Sequence, residues 1–323
     1  MQRLIYIIIF LIGYLNTNAQ TCCSGGVPLT GNLGFVGEQK GQIQLELSYD
    51  YNHLDHIYIE NLKSDDQSRI RTTQSLLLKF GYNILDDLSV DLLFSFVQQE
   101  REINQFGSID YVRTRGIADA ILLIKYQLPY ISNLNQNVLI GVGPKFPMGR
   151  SDLKNESGIA LNADLQPGSG SFDFLYWLHY QRKLKLRPST SLYSRVIYKQ
   201  NGINTNYFNN QEYKFGNELL FMAGIGDQLN LKFTIINVGL SFKYRNTHYD
   251  EINGQELSNT GGNWIYVMPN MGIFLTNKFA INFSPELPLY TKVTGTQLST
   301  TYRLNVGIFL NLQQNNNLKI NDL

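Results

Sequence analysis

From Gln42 to Leu312 the chain places an apolar side chain at every second position, in run after run of about ten residues. The first run shows the pattern in full. Ile43, Leu45, Leu47, Tyr49 and Tyr51 alternate with Gln42, Gln44, Glu46, Ser48 and Asp50. Successive side chains of a strand point to opposite faces, so a period of two makes one face apolar and the other polar; a helix, with about 3.6 residues per turn, cannot sort the same residues that way.

The pattern predicts twelve strands. Leu76, Leu78, Phe80, Tyr82 and Ile84 share a face over 71–85, and Asp86-Asp87 turns the chain into a third run through Leu88, Val90, Leu92, Phe94 and Phe96. A fourth is expected over 116–130 with Ala118, Ala120, Leu122, Ile124, Tyr126 and Leu128 on the apolar side, and a fifth over 137–147. In the sixth, over 171–181, Phe172, Phe174, Tyr176, Leu178 and Tyr180 oppose Ser171, Asp173, Trp177, His179 and Gln181. Six more are expected over 189–199, 212–225 (with Tyr213, Phe215, Leu219 and Phe221 outward), 234–245, 264–276, 279–290 and 301–312.

Charged residues make up only 16% of the chain and aromatics 12%, a Tyr- and Phe-rich balance unlike an average soluble domain. No internal stretch reaches the roughly 18–20 continuous apolar residues of a spanning helix. Residence in a membrane would have to use strands, and hydrocarbon leaves no partner for the N–H and C=O groups of an open sheet edge. The expected fold class is therefore all-β: a closed antiparallel transmembrane β-barrel of outer-membrane type with about 12 strands, spanning residues 42–312. Short connections (85–88, 131–136, 183–188, 226–230, 276–278) alternate with long polar ones (53–68, 98–115, 148–170, 199–211, 246–262), and the long ones are expected to face out of the cell.

The first 19 residues, with Arg3 ahead of a short apolar run and Ala19 at the end, read as a secretory signal peptide. Residues 20–41 then form a Gly/Ser-rich segment before the barrel, and 313–323 a polar tail. Vicinal Cys22 and Cys23 cannot frame a fold by disulfide; lipidation or a soft-metal site at the pair are minority readings. A net charge of +1 without a Lys/Arg run argues against a nucleic-acid partner. No nucleotide, redox or other cofactor is implied. The partners expected are outer-membrane lipid and a small-molecule solute.

Three stretches carry a family likeness. Gly143-Pro144-Lys145-Phe146-Pro147-Met148-Gly149, then Leu165-Gln166-Pro167-Gly168-Ser169-Gly170-Ser171-Phe172-Asp173, resemble signatures of the MetA-pathway phenol-degradation outer-membrane family, and Gly116-Ile117-Ala118-Asp119-Ala120 with Lys125-Tyr126 resembles a strand of it. Met148 stands where that family usually has Thr, and Ala118 where it has a second Gly. The resemblance implies a transporter-like barrel in the cell outer membrane, linked by the family's name to uptake of aromatic compounds. The function it points to is passive diffusion of small, hydrophobic or aromatic solutes. The alternative is a non-conducting barrel that acts through its loops or its N-terminal segment.

Charges on the polar face are the candidates for lining a pore: Asp91, Asp119, Lys125, Lys145, Asp173, His179, Arg195, Glu218, Glu286 and Arg303. Each must be paired or hydrated inside a narrow lumen, and a filling of mutually paired side chains explains any one of them at least as well as a solute contact. Lys145 and Asp173 are expected to pair across the fifth and sixth strands. Pro167 to Gly170 reads as a backbone bend into the sixth strand, since no helix follows to make a phosphate loop. An enzyme needs a nucleophile beside a base. Ser171 and His179 lie eight residues apart on one strand, about 26 Å, too far to partner. The sequence reading is thus not an enzyme.

Overall fold

The computed structural model describes residues 20–21 and 40–312, apart from 106, 134, 232–233 and 277. The proposed signal peptide, Cys22-Cys23 and the polar tail lie outside the described residues.

Twelve antiparallel strands follow one another around a closed barrel. They are Ile43–Ile59, Arg69–Asn83, Leu88–Gln105, a fourth in two pieces (Ser108–Ile117 and Ala120–Gln127), Gln136–Phe146, Asp173–Lys183, Thr190–Gln200, Glu218–Asn230, Ile235–Thr247, Gly262–Phe274, Phe279–Val293 and Thr296–Leu312. Each pairs with its chain neighbours, and the twelfth pairs back onto the first from Thr296↔Ile59 to Leu312↔Ile43. No free edge remains in the wall, as hydrocarbon requires.

The alternation maps onto the two sides of this wall. Leu78, Phe80, Phe174, Tyr176, Leu240, Phe242, Val306 and Ile308 all keep between two fifths and one half of their surface open on the outside. The intervening Lys79, Asp173, Trp177, Ser241 and Lys243 are buried inside. An apolar exterior around a polar interior inverts a soluble protein, and it is stable only with lipid as the outer solvent. The barrel is of the transmembrane type.

Several expectations need correction. Much of what reads as the loop over 98–115 is strand, because the third and fourth strands continue as a hairpin that pairs from Phe96↔Ile117 to Gln105↔Ser108. The fourth strand breaks at Ala118-Asp119, and Ala118 and Ala120 are buried rather than on the lipid face, at 0% and 2% exposure. The eighth strand begins at Glu218, not near Glu212, and runs to Asn230. Tyr213 and Phe215 therefore do not face lipid. They are buried with Ala163 in a cluster that Tyr207, Ile252 and Leu257 complete. Around this cluster the loops on either side of the eighth and ninth strands build a small sheet from Asn204–Tyr207, Gln211–Lys214, Glu251–Ile252 and Gln255–Glu256.

Candidate functional site

The largest departure from expectation is the connection over 148–170. It does not simply face outward. Its second half, residues 161–170, is buried almost throughout and folds into the lumen at the end that carries the long loops. A 3-10 turn at Ala163–Leu165 forms its tip.

Inward-facing side chains of the wall grip this segment by its backbone. Arg71, on the second strand, donates to the Asp164 carboxylate at 2.6 Å and to the Asp164 carbonyl at 2.5 Å, and also to Gln99. Gln99 donates to the Gln166 carbonyl at 3.1 Å, and Thr114 to the Leu165 carbonyl at 2.6 Å. Gln166 closes the loop on itself by donating to the Leu153 and Leu161 carbonyls and accepting from the Leu153 N–H. A segment taken out of water must find partners for its backbone polar groups; these side chains supply several, and backbone bonds such as Gly168 N–H to the Arg150 carbonyl supply others.

The Gly-rich part is held by one lysine between two aspartates. Lys145 and Asp173 stand opposite each other in register on the fifth and sixth strands, with 2.6 Å between Nζ and Oδ2. The same Nζ reaches Asp119, also at 2.6 Å. Asp119 sits at the break in the fourth strand, where it accepts from the N–H groups of Gly149 and Ser169 and from the Ser169 hydroxyl. Asp173 accepts from the Ser171 hydroxyl and the Gly202 N–H. The strand interruption thus serves the loop, aiming a carboxylate at two of its amides. Gly149 and Gly168 pass so closely that a Cβ on Gly168 would lie 2.5 Å from the Gly149 carbonyl carbon and oxygen. Gly170, at φ +70°, adopts the left-handed turn that leads into the sixth strand.

The other candidate charges also face inward, and most are paired. Asp91 meets Lys125 at 2.7 Å, Glu218 meets Arg245 at 2.5 Å and Lys199 at 3.2 Å, Glu286 meets Lys243, and Arg303 meets Asp50 at 2.9 Å. Lys243 and Arg245 in turn lie over the rings of Tyr266 and Trp264. His179 stacks on Trp177, with ring centroids 5.6 Å apart. Sequence reasoning did not single out Arg71, Lys79, Lys199, Lys243, Arg245 or the loop's Asp164 and Gln166. The strand parity that marks Lys125 and Lys145 would also have found Arg71 and Lys79; nothing in the sequence sends Asp164 inward.

Below the loop the lumen splits. One side is closed by inward apolar residues, among them Leu93, Ile121, Leu123, Leu175, Trp177 and Ile197. Toward the short-turn end the interior opens into a cavity of about 350 Å³ bounded by Glu46, His179, Arg195, Ser241, Met268 and Asn305, with Gly226 and Gly272 in its wall.

No protein-family model matches the chain, and no curated protein matches its sequence. Among solved structures, an outer membrane channel from Pseudomonas putida F1 is similar at 14% identity and a TM-score of 0.68, covering 86% of this chain and 98% of that one. That shared fold is the architecture that the motif resemblance implied. The transport unit of the autotransporter AIDA-I from Escherichia coli is less alike, at 9% identity and a TM-score of 0.47 over 86% of this chain and 93% of that one.

Proposed function

We propose that this protein is an outer-membrane channel through which small, hydrophobic or aromatic solutes cross by passive diffusion. One observation carries the reading: the barrel interior is neither a dry core nor a complete salt-bridged filling, but holds a cavity that reaches the short-turn end, below the loop segment folded in at the opposite end. The motif resemblance to the phenol-degradation outer-membrane family supports that class of solute, and the fold is one that an outer membrane channel also has. The ten candidate charges take the role of pore-wall and loop-anchoring groups in this reading. A hydrolytic role lacks support at the pair that sequence reasoning weighed: Ser171 donates to Asp173, and His179 stacks on Trp177.

Purified protein in planar bilayers tests it. Discrete current steps, together with swelling of protein-loaded liposomes in aromatic solutes, are the expected result. A heat-modifiable, folded barrel that stays silent in both assays would overturn it. That outcome would favour the second reading, a barrel that works through its outer loops, for which the compact sheet around Tyr213 is the supporting observation.

A further inference from the structure

Among the described residues, one buried cation inside the barrel has no carboxylate at salt-bridge distance. Arg71, Lys79, Lys125, Lys145, Lys199, Lys243, Arg245 and Arg303 each have a carboxylate at salt-bridge distance. Arg195 has none among the described residues, and its Nε has no hydrogen-bond partner. It is 9% exposed, and the surface it keeps lines the cavity. Glu46, the carboxylate whose field reaches it, is already held by Lys79 at 3.1 Å. Across this belt Arg195, Lys79 and Lys125 face Glu46 and Asp91, three cations to two carboxylates, which leaves one positive charge unbalanced.

A guanidinium does not give up its proton. Its charge therefore persists in a site where an unpaired ion is costly, and a visiting anion would relieve that cost. The fork of a guanidinium matches a carboxylate with two parallel hydrogen bonds. Arg195 stands between His179 and Met222 on the neighbouring strands, and Met268 lines the same cavity. Thioethers give an adaptable apolar surface, and about 350 Å³ is at the small end of ligand pockets.

We propose that Arg195 is a carboxylate-recognition point in the cavity, selecting small monocarboxylates with a compact apolar body. The inference rests on the channel reading for its place in transport, whereas binding can be measured on its own.

The test uses the full chain folded in detergent, with fluorine NMR line broadening of 4-fluorobenzoate and of its neutral analogue 4-fluorobenzamide, beside bilayer conductance. The wild type is expected to bind the carboxylate at least about tenfold more tightly than the amide, the scale of one charge-assisted pair. Arg195→Gln should erase that preference without lowering the urea midpoint, because it removes an unpaired charge. Arg195→Lys should retain part of the preference, keeping the charge and losing the fork. Equal binding of the two probes, an undiminished preference in Arg195→Gln, or a lower urea midpoint in that variant would overturn the proposal, the last by marking Arg195 as a structural cation. Conductance without carboxylate preference sinks this inference and spares the channel; carboxylate preference in a silent barrel does the reverse.

Discussion

The two ends of the lumen are built from the same alternating strands and finished in opposite ways. At the long-loop end, inward side chains are long, charged and paired, and they spend their hydrogen bonds on a chain segment that fills space. At the short-turn end, inward positions are often glycine or short polar residues, and space is left open. The strand pattern fixes which side chains point in. What enters between them is decided by whether those side chains find a partner within the chain.

Removing the pivot of the filled end should have the largest effect. Lys145→Met leaves Asp119 and Asp173 as buried carboxylates without their cation, at a cost of about 3–5 kcal/mol. Urea unfolding followed by the heat-modifiable gel shift should show that loss, and Asp119→Asn with Asp173→Asn in the same chain should recover most of it. Replacing 151–167 with a short Gly-Ser linker should leave the barrel folded and raise single-channel conductance. An unchanged conductance would mean that the loop does not limit the path.

Gly168→Ala drives a methyl group into the Gly149 backbone, a strain of about 1–3 kcal/mol, and should appear as protease cleavage within 150–168 before the wall unfolds. The open end should respond differently. A Cβ at Gly226 meets nothing nearer than 3.7 Å, so Gly226→Leu should keep the unfolding free energy within about 0.5 kcal/mol of wild type while slowing liposome swelling. If it destabilises as Gly168→Ala does, the contrast between the two ends fails.

The smallest effect concerns the outer sheet. Burial pushes the Asp250 carboxyl up to about 6, although the Tyr213 hydroxyl and the Gly216 N–H both donate to it. The folded loops thus hold this proton more tightly than the unfolded chain does. The stabilisation is fully present below the ordinary carboxylate range and is lost as pH rises through about 6. Proteolysis of 248–261 should slow as pH falls from neutrality toward 5, and Asp250→Asn should flatten the dependence.

The wall was legible in the sequence because lipid and lumen impose a two-residue period that no helix reproduces. Legibility failed where a different environment writes the same pattern. Tyr213, Lys214 and Phe215 alternate as a lipid-facing strand would, yet the solvent-side sheet over the inserted loop buries the two rings. Ala118 and Ala120 fit the outward parity, but the strand breaks between them to aim Asp119 at the loop. Parity also placed the ten candidate charges inside the barrel, and the Lys145–Asp173 pair was readable from strand adjacency. That Lys145 serves two carboxylates was not, since Asp119 reaches it only through the interruption. The inward course of 161–170 depends on Arg71, Gln99 and Thr114 converging from three strands, a long-range arrangement that no local window contains.

The seam between the first and last strands carries a consequence for biogenesis. Until Thr296–Leu312 has been synthesised, Ile43–Ile59 has no mate on one side and the cylinder cannot close. A chain of this design stays unclosed, with its apolar faces unpartnered, and seals only after its final ribbon arrives. Contacts this remote in sequence fold slowly, so substitutions along the seam should reduce assembly yield before they alter anything the finished barrel does.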